Sequence, residues 1–508
     1  MNLASVIEGH EATAPALLVG ADVTTYGALR AQVAALRQRC GLSVGDRVGL
    51  VCGNDASFVV AYLAVLAAGA VAVPLNPHSP GPELARQLAH VGSNTVLVGP
   101  GVVFDPATLG VRVEAVGPDD AGGPGSARAP GVVGGLPPPV ERGADDLAVL
   151  LFTAGTAGPP KAAMLTHANL LANLDQVQAV PGRAVRASDV MLGVLPVHHI
   201  FGLNMVLGLA LRAGACVVLV DHFDPAATLA TIAAAEVTVV AGVPPMFQAW
   251  LALAGDGPAG VAGWGGVRLA VSGAAPLGAV TAAAFEARFG MAISEGYGLT
   301  EASPAVTSSV AGGRTKPGSI GVPLPGLELR LVDSDGRDAL AADAGEIWVR
   351  GPNVFVGYWD DPLATAAVLA PGGWLRTGDV AVVDDEGWLF IVDRVKDVII
   401  VSGFNVYPAE VEDVLAGHPA VLDVAVVGVP QARTGEAVKA FVVVRPGRSV
   451  TAAELVAHAA SQLARYKCPA EVSFVEMLPR GVTGKLLRRS LRTPAPGPTG
   501  PAVGPAVG

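Results

Sequence analysis

A chain of 508 residues is too long for one compact core and predicts about three domain-sized units. Hydrophobic residues make up 51% of it and charged residues only 15%, which excludes a disordered polymer. The net charge of -11 excludes a protein that coats nucleic acid, though not a local basic pocket for a nucleotide. Cys40, Cys52, Cys216 and Cys468 lie far apart without metal-ligand spacing and read as reduced thiols of a cytoplasmic protein. The first twenty residues lack a basic start and carry Glu8 and Glu11, so no secretory leader is expected.

In chain order, a predicted helix over 26–38 is followed by a strand at 48–52. The run 58–75 is apolar for about eighteen residues, long enough to raise the question of a membrane span. Gly69 and Pro74 divide it, so a buried helix at 57–68 and a strand at 70–73 are expected, and no transmembrane segment. A helix at 82–90 and a strand at 95–98 follow, then a Gly/Pro-rich surface loop over 117–143. Strands are predicted at 147–152, 215–220, 237–241 and 269–272, with a helix at 225–235. This alternation predicts an α/β fold whose large N-terminal domain holds mainly parallel, helix-covered sheets. From Leu327 the pattern turns β-rich, with strands at 329–332, 345–349, 380–383 and 388–392 in a small closed or curved sheet. A helix at 408–416, strands at 421–429 and 438–444 and a helix at 451–463 then predict a smaller α+β C-terminal domain of roughly 100 residues. The Pro-, Gly- and Ala-rich tail 493–508 is expected to be disordered.

Several segments carry residue types suited to chemistry. Phe152-Thr-Ala-Gly-Thr-Ala-Gly-Pro-Pro-Lys-Ala-Ala-Met-Leu-Thr-His167 ends a buried strand. Gly155 and Gly158 let the backbone turn tightly and approach a ligand. Thr153 and Thr156 offer hydroxyls, successive N–H groups can form an anion nest, and Lys161 adds a point charge. The pattern is not the Walker sequence; it suits the phosphates of a nucleoside triphosphate, and alone it also reads as a flexible surface turn. His199, in Leu195-Pro-Val-His-His-Ile-Phe-Gly-Leu203, alone reads equally as a core histidine satisfied by backbone. Small residues Gly273, Ala274 and Ala275 end a strand and leave room for a planar base, or make a plain strand-to-helix turn.

In Ser294-Glu-Gly-Tyr-Gly-Leu-Thr-Glu301, Tyr297 between Gly296 and Gly298 can stack on a ring. Thr300 and Glu301 are hard oxygen donors suited to Mg²⁺ beside phosphates. An ordinary glycine turn around a buried tyrosine has the same composition. Asp379, in Leu375-Arg-Thr-Gly-Asp, can accept both hydroxyls of a ribose or simply sit in a hairpin turn. Arg394, Lys396 and the Lys485 segment, 479–489, read on their own as solvated turns.

Together these strings resemble, in order and separation, the adenylate-forming superfamily of acyl-CoA synthetases, carrier-protein adenylation domains and luciferases, over about Thr24 to Arg492. The family's usual phosphate loop is Thr-Ser-Gly-Thr-Thr-Gly-x-Pro-Lys-Gly, from which this chain departs at Ala154, Ala157 and Ala162. The resemblance, closest to fatty acyl-CoA synthetases, implies an ATP-dependent acid–thiol ligase that converts a carboxylic acid to acyl-AMP and then to acyl-CoA. It implies ATP and coenzyme A as co-substrates and Mg²⁺ as cofactor. It implies an ATP/AMP site made of Thr153, Gly155, Thr156, Gly158, Lys161, Gly273, Ala274, Ala275, Glu295, Gly296, Tyr297, Gly298, Thr300, Asp379 and Arg394. Lys485, Thr300, Glu301 and His199 would be catalytic, with Glu301 on the metal and His199 beside the acid pocket. Lys396 falls at a hinge, 393–396, between an N-terminal domain 1–392 and a C-terminal domain 397–492. Ser402, Gly403 and Phe404 match the turn that meets CoA.

Only six of the 33 basic residues are lysine, and Lys161, Lys396 and Lys485 all fall on family motif lysines. The other three, Lys316, Lys439 and Lys467, carry no assigned chemistry. The strings near the expected acid pocket, 195–203, 243–247 and 296–304, hold no Arg or Lys, which favours a monocarboxylic acid with an apolar body. Two alternatives stand beside this reading: an enzyme that loads a separate carrier protein, and a degenerate relative that binds acyl-adenylate without turnover. Ala154 and Ala157 favour the degenerate relative; Glu301, Asp379 and Lys485 oppose it.

Overall fold

The apolar run that is long enough for a bilayer folds as a buried helix and a buried strand. The computed structural model describes residues 1–103, 106–117, 136–153, 160–182, 184–254, 264–333, 335–339, 343–394, 397, 399–401, 404–431, 435–480 and 486–492. In it, helix Ala56–Ala67 is buried at every position and strand Val71–Pro74 follows it, likewise buried. Asp55 caps the helix by accepting from the N–H groups of Ser57 and Phe58 at 2.9 and 3.2 Å. Gly69 turns the chain between helix and strand at φ +77°, a conformation glycine adopts without penalty. No helix among the described residues is long and apolar enough to cross a membrane.

The chain forms two units, one built from 1–330, 347–377 and 383–390, the other from 331–346, 378–382 and 391–508. In the first, a seven-stranded sheet runs in the order Gly357–Tyr358, Lys161–Thr166, Leu147–Thr153, Val71–Pro74, Arg47–Val51, Thr95–Val98, Arg112–Ala115. Its last five strands are parallel, and the first two add an antiparallel edge. A nine-stranded sheet follows the order Val322–Pro323, Ala305–Ser308, Ile293–Gly298, Leu269–Ser272, Val239–Gly242, Val190–Gly193, Cys216–Leu219, Pro15–Val19, Asp22–Thr25. Its six inner strands are parallel. Parallel strands are covered on both faces, which is why these segments are continuous Val, Ala and Leu runs without polar alternation.

The helices of the nine-stranded sheet are locked by aromatic rings. Trp250 meets Phe223, Phe247 and Trp264 edge-on at 5.4, 5.5 and 5.4 Å, and Trp264 meets Phe285 at 4.9 Å. Each such pair adds about 1 kcal/mol beyond its buried area. The indole N–H of Trp250 donates to Thr228 Oγ1 at 3.0 Å. Helices Pro225–Ala234, Pro244–Ala254 and Ala279–Phe289 are thereby joined.

The second unit is built on a long hairpin, Val421–Gln431 against Gly435–Val444, with Glu471–Phe474 added in parallel. Helices Pro408–Ala416 and Ala452–Ala460 close its core around Val411, Leu415, Val426, Val442 and Leu455. Thr451 and Glu454 form a reciprocal capping box that fixes the start of the second helix. Strands Glu328–Val332, Gly345–Arg350, Trp374–Val383 and Leu389–Arg394 occupy the predicted β-rich stretch.

Three features differ from the sequence expectation. Residues 161–166 form a strand, not part of a loop; Lys-Ala-Ala-Met-Leu-Thr has one β-branched residue, at its last position, too few to signal one. Val190–Gly193, a four-residue strand inside the nine-stranded sheet, is too short to show a period. Phe201–Gly208, continuing the His198-His199 segment, is a π-helix, which no periodicity announces. Most of the predicted loop 117–143 and all of the tail 493–508 lie outside the described residues.

Candidate active site

In an open α/β sheet the carboxyl ends of the parallel strands form the natural crevice for a ligand. Here that edge of the nine-stranded sheet aligns Gly242 with Ser272 and Ser272 with Glu295. The predicted base-binding residues Gly273, Ala274 and Ala275 follow Ser272 directly. Ala274 takes φ +68°, the left-handed conformation that turns the chain sharply off the strand. A Cβ at Gly273 would lie 3.2 Å from the Phe201 ring, a tight contact, and 3.5 Å from the Gly296 carbonyl oxygen, so glycine eases the approach of the Phe201 ring to this turn. Gly296, Tyr297 and Gly298 pair antiparallel with Ser308, Thr307 and Ala305. At Gly298 a Cβ would stand 2.1 Å from the Pro304 carbonyl oxygen, which excludes any side chain there.

Glu295 lies in the same strand, and its carboxylate is turned to the backbone. It accepts from the Leu277 N–H at 3.1 Å and from the Gly318 N–H, tying the turn after Ser272 to the loop that ends at Ser319. Its own N–H donates to Ser309 Oγ at 2.8 Å. Burial pushes the Glu295 carboxyl up to about 7, against the lowering effect of the two amides.

The seven-stranded sheet contributes the phosphate segment. Thr153 and Lys161 are the last pair of their hairpin before its connecting segment, and Thr153 Oγ1 donates to the Lys161 carbonyl at 3.4 Å. Gly155, Thr156 and Gly158 lie outside the described residues, as do Ala154 and Ala157. Ala162, the remaining departure from the family loop, is fully buried beside Leu150 and Val73, so its methyl is absorbed by the core. The Lys161 ammonium lies 4.0 Å from Asp361 Oδ2 and 5.2 Å from the ring centroid of Tyr358. The Tyr358 hydroxyl in turn donates to Glu301 Oε1 at 2.6 Å. Burial, then the Glu301 charge, push that hydroxyl well above its usual range, so it stays a donor. The structure thus brings Lys161 and Glu301 together through a tyrosine that the sequence reading passed over. The Gly357-Tyr-Trp-Asp-Asp361 string, two aromatics beside two acids, was the available signal.

Thr300 and Glu301 sit in a short turn, Thr300–Ala302, closed by Ser303 at φ +70°. Buried amides hold it. Asn353 Nδ2 donates to the Ala302 carbonyl at 2.7 Å, and Asn204 Nδ2, from the π-helix, donates to the Ser303 carbonyl at 2.7 Å. Ser303 Oγ donates to the Asn353 carbonyl at 2.8 Å, and Asn173 exchanges hydrogen bonds with both backbone groups of Ala305 at 2.8 and 2.9 Å. None of these asparagines belongs to a recognisable motif.

His199 lies in the turn that starts the π-helix, its N–H donating to the Pro196 carbonyl at 3.1 Å. Its ring is 4.6 Å from that of His198. Burial, then His199 and His78, push His198 down to about 3, and burial lowers His199 as well, so both are neutral near pH 7. Asp379 belongs to the other unit, where it is buried within Trp374–Val383. Arg394 and Phe404 lie in strands Leu389–Arg394 and Phe404–Val406, but their side chains are outside the described residues. Lys396, Ser402, Gly403 and Lys485 are also outside them. The flanks of Lys485 are anchored: Arg480 pairs with Leu486, and Arg488 donates to both oxygens of Glu412 at 2.7 and 2.6 Å. The three lysines without assigned chemistry are each ion-paired, Lys316 with Asp384 and Glu386, Lys439 with Glu471, and Lys467 with Glu410.

A carboxylate could hold a divalent cation at Glu301, with the Thr300 hydroxyl beside it. No group of three or more metal-ligating side chains occurs among the described residues. Mg²⁺ usually binds through one or two carboxylates plus substrate phosphates and water, so this sparse donor set fits a nucleotide-borne Mg²⁺ rather than a protein-caged one.

A family profile described as AMP-binding enzyme matches residues 6–359, and one described as AMP-binding enzyme C-terminal domain matches residues 410–485. The chain belongs to this family of adenylate-forming enzymes. A long-chain-fatty-acid–CoA ligase of Yersinia pestis is 37% identical, covering 94% of this chain and 91% of that protein. A feruloyl-CoA synthase of an Amycolatopsis species is 38% identical, covering 94% and 95%. The crystal structure of ATP-bound MatB from Rhodopseudomonas palustris has a TM-score of 0.86 and 34% identity, covering 97% of this chain and 98% of that one.

Proposed function

We propose that this chain is an AMP-forming acid–thiol ligase that activates a monocarboxylic acid with an apolar body and transfers the acyl group to coenzyme A. The observation that carries the reading is the Lys161–Tyr358–Glu301 arrangement beside the glycine-lined strand ends, within a chain of this family. It sets a cation for phosphates and a carboxylate for a metal at the place where such sheets bind nucleotides.

In the first half-reaction a carboxylate oxygen of the substrate attacks the α-phosphorus of ATP. The bond to the β-phosphate breaks, and pyrophosphate leaves. Lys161 and Thr153 hold the departing phosphates; Gly273 to Ala275 and Gly296 to Gly298 receive the base. Asp379 accepts from the ribose hydroxyls, with Arg394 as its neighbour in the role. Lys485 offsets the charge that grows on the α-phosphoryl oxygens. Mg²⁺, held by Glu301 with Thr300, supplies further neutralisation of the phosphates when bound. In the second half-reaction the C-terminal domain turns at Lys396, withdrawing Lys485 and presenting Ser402 to Phe404 to CoA. The CoA thiol, giving its proton to solvent, then attacks the acyl carbonyl, the acyl–phosphate anhydride bond breaks, and AMP leaves.

An apolar monocarboxylic substrate is supported by the absence of Arg and Lys from the strings 195–203, 243–247 and 296–304. The two relatives named above act on long-chain fatty acids and on a feruloyl group, alkyl and aryl bodies respectively. The test is mass-spectrometric detection of acyl-CoA and AMP after incubation with ATP, Mg²⁺, CoA and matched mono- and dicarboxylic acids. The reading expects product from a fatty or hydroxycinnamic monoacid and at least about tenfold less from its diacid counterpart. Product from diacids at equal rate would overturn the substrate class.

A further inference from the structure

Tyr358 occupies a position that ties the phosphate segment to the candidate metal ligand. Its backbone pairs with Ala163, and the neighbouring Gly357 with Met164, extending the hairpin that begins at Lys161. The Phe355 N–H donates to the Glu301 carbonyl at 2.9 Å, so the same short segment also holds the backbone of the Thr300–Ala302 turn. On the far side, the Tyr358 N–H donates to Thr365 Oγ1 at 2.9 Å, and Asp361 caps the helix Pro362–Val368 by accepting from Ala364 at 2.9 Å. The Tyr358 ring meets Phe355 edge-on at 5.0 Å and is 9% exposed, so it has little freedom to swing away. From this fixed ring two polar contacts depart: the hydroxyl to Glu301 and the π-face to Lys161.

We infer that Tyr358 is a positioning residue for metal–nucleotide binding. Its hydroxyl takes one oxygen of Glu301 and fixes the plane of the carboxylate, while its ring fixes the position of the Lys161 ammonium. The inference rests on the adenylation reading, since it is that reading which gives Glu301 a metal and Lys161 a phosphate. Without the hydroxyl, Glu301 could rotate freely and would lose a hydrogen bond to a charged group, a loss worth about tenfold in the property it orients. Without the ring, Lys161 is left with Asp361 alone and is drawn toward it. The hydroxyl and the ring therefore act on different measurements.

Tyr358→Phe separates them, because it keeps the ring and its packing and removes only the hydroxyl. Isothermal titration with ATP, in EDTA and in Mg²⁺, reads the two contributions without catalysis. Tyr358→Phe should leave metal-free ATP affinity unchanged and reduce the Mg²⁺-dependent gain by about tenfold. Tyr358→Leu should weaken ATP binding in EDTA as well. Mn²⁺ titration of the ATP complex, followed by its paramagnetic resonance signal, should weaken in step for Tyr358→Phe. Glu301→Gln should abolish the Mg²⁺-dependent gain, and adding Tyr358→Phe to it should cost nothing more, as expected of residues acting through one another. A Tyr358→Phe variant with the wild-type gain in Mg²⁺, or additive losses in the double variant, overturns the inference. If wild-type protein binds ATP and metal yet shows no acid-dependent turnover, the adenylation reading fails separately, and these titrations still decide the role of Tyr358.

Discussion

Glu295 and Tyr358 illustrate how much of a site lies in side chains that the motifs do not explain. The Ser294–Glu301 string marks a strand end with glycines, and the structure places Gly296 and Gly298 at the end of Ile293–Gly298, where Gly298 lets the Pro304 backbone approach. Glu295 belongs to the same string, yet its carboxylate serves two backbone amides, a role set by distant residues and therefore invisible locally. That burial has a stability consequence. The carboxyl rises from 4.5 to about 7 on folding, so between these values the folded state holds a proton that the unfolded state has lost. Stability is then greatest below pH 4.5 as far as this group is concerned and falls as pH rises through 7, by about 3 kcal/mol in total. Glu286 and Lys316 line a cavity beside Glu295, so the comparison is best made by difference. Chemical denaturation of wild type and Glu295→Gln at pH 5 and pH 8 should show the wild type losing more stability on going to pH 8. Parallel profiles would mean that the carboxylate is better solvated than its burial suggests.

At the scale of elements, the Thr300–Ala302 turn is held chiefly by asparagines. Asn353 is fully buried and donates to the carbonyls of Ala302 and Ala305, while Asn204 brings the π-helix to Ser303. Asn353→Ala leaves the buried Ala302 carbonyl without its donor and Gln176 without the Asn353 acceptor, while Ala305 keeps Asn173, and each such buried group costs about 1–3 kcal/mol. We expect a loss of about 2–4 kcal/mol in urea unfolding. The ATP affinity in Mg²⁺ should fall with it, because the Glu301 backbone is no longer fixed. An unchanged unfolding midpoint would show that the turn is held by other means. The sequence made the long elements legible: the helix at 26–38, the divided apolar run after Ser57 and the hairpin strands from Val421 appear within a few residues of expectation. The strand Val190–Gly193, the strand from Lys161 and the π-helix were not legible. Val190–Gly193 is placed by sheet neighbours later in the chain and the strand from Lys161 by its hairpin partner, while the π-helix follows no local period.

For the molecule as a whole, the residues proposed for the first half-reaction are drawn from both units. The first unit carries Thr153, Lys161, His199, the strand-end glycines and Glu301; the second carries Asp379 and the segment around Lys485. Lys485 itself was assigned from a motif, and what the structure adds is the anchoring of its flanks by Arg488 on Glu412 and by the Arg480–Leu486 pair. The central claim is that this chain makes an acyl-adenylate with Lys485 as the group that stabilises its formation. Acid-dependent exchange of labelled pyrophosphate into ATP measures that step alone. With a fatty or hydroxycinnamic acid the wild type should exchange label. Lys485→Ala should lose at least about a hundredfold, as for removal of one transition-state donor, while still forming thioester from supplied acyl-adenylate. Absence of exchange with every acid tried, or full exchange by Lys485→Ala, would contradict the account.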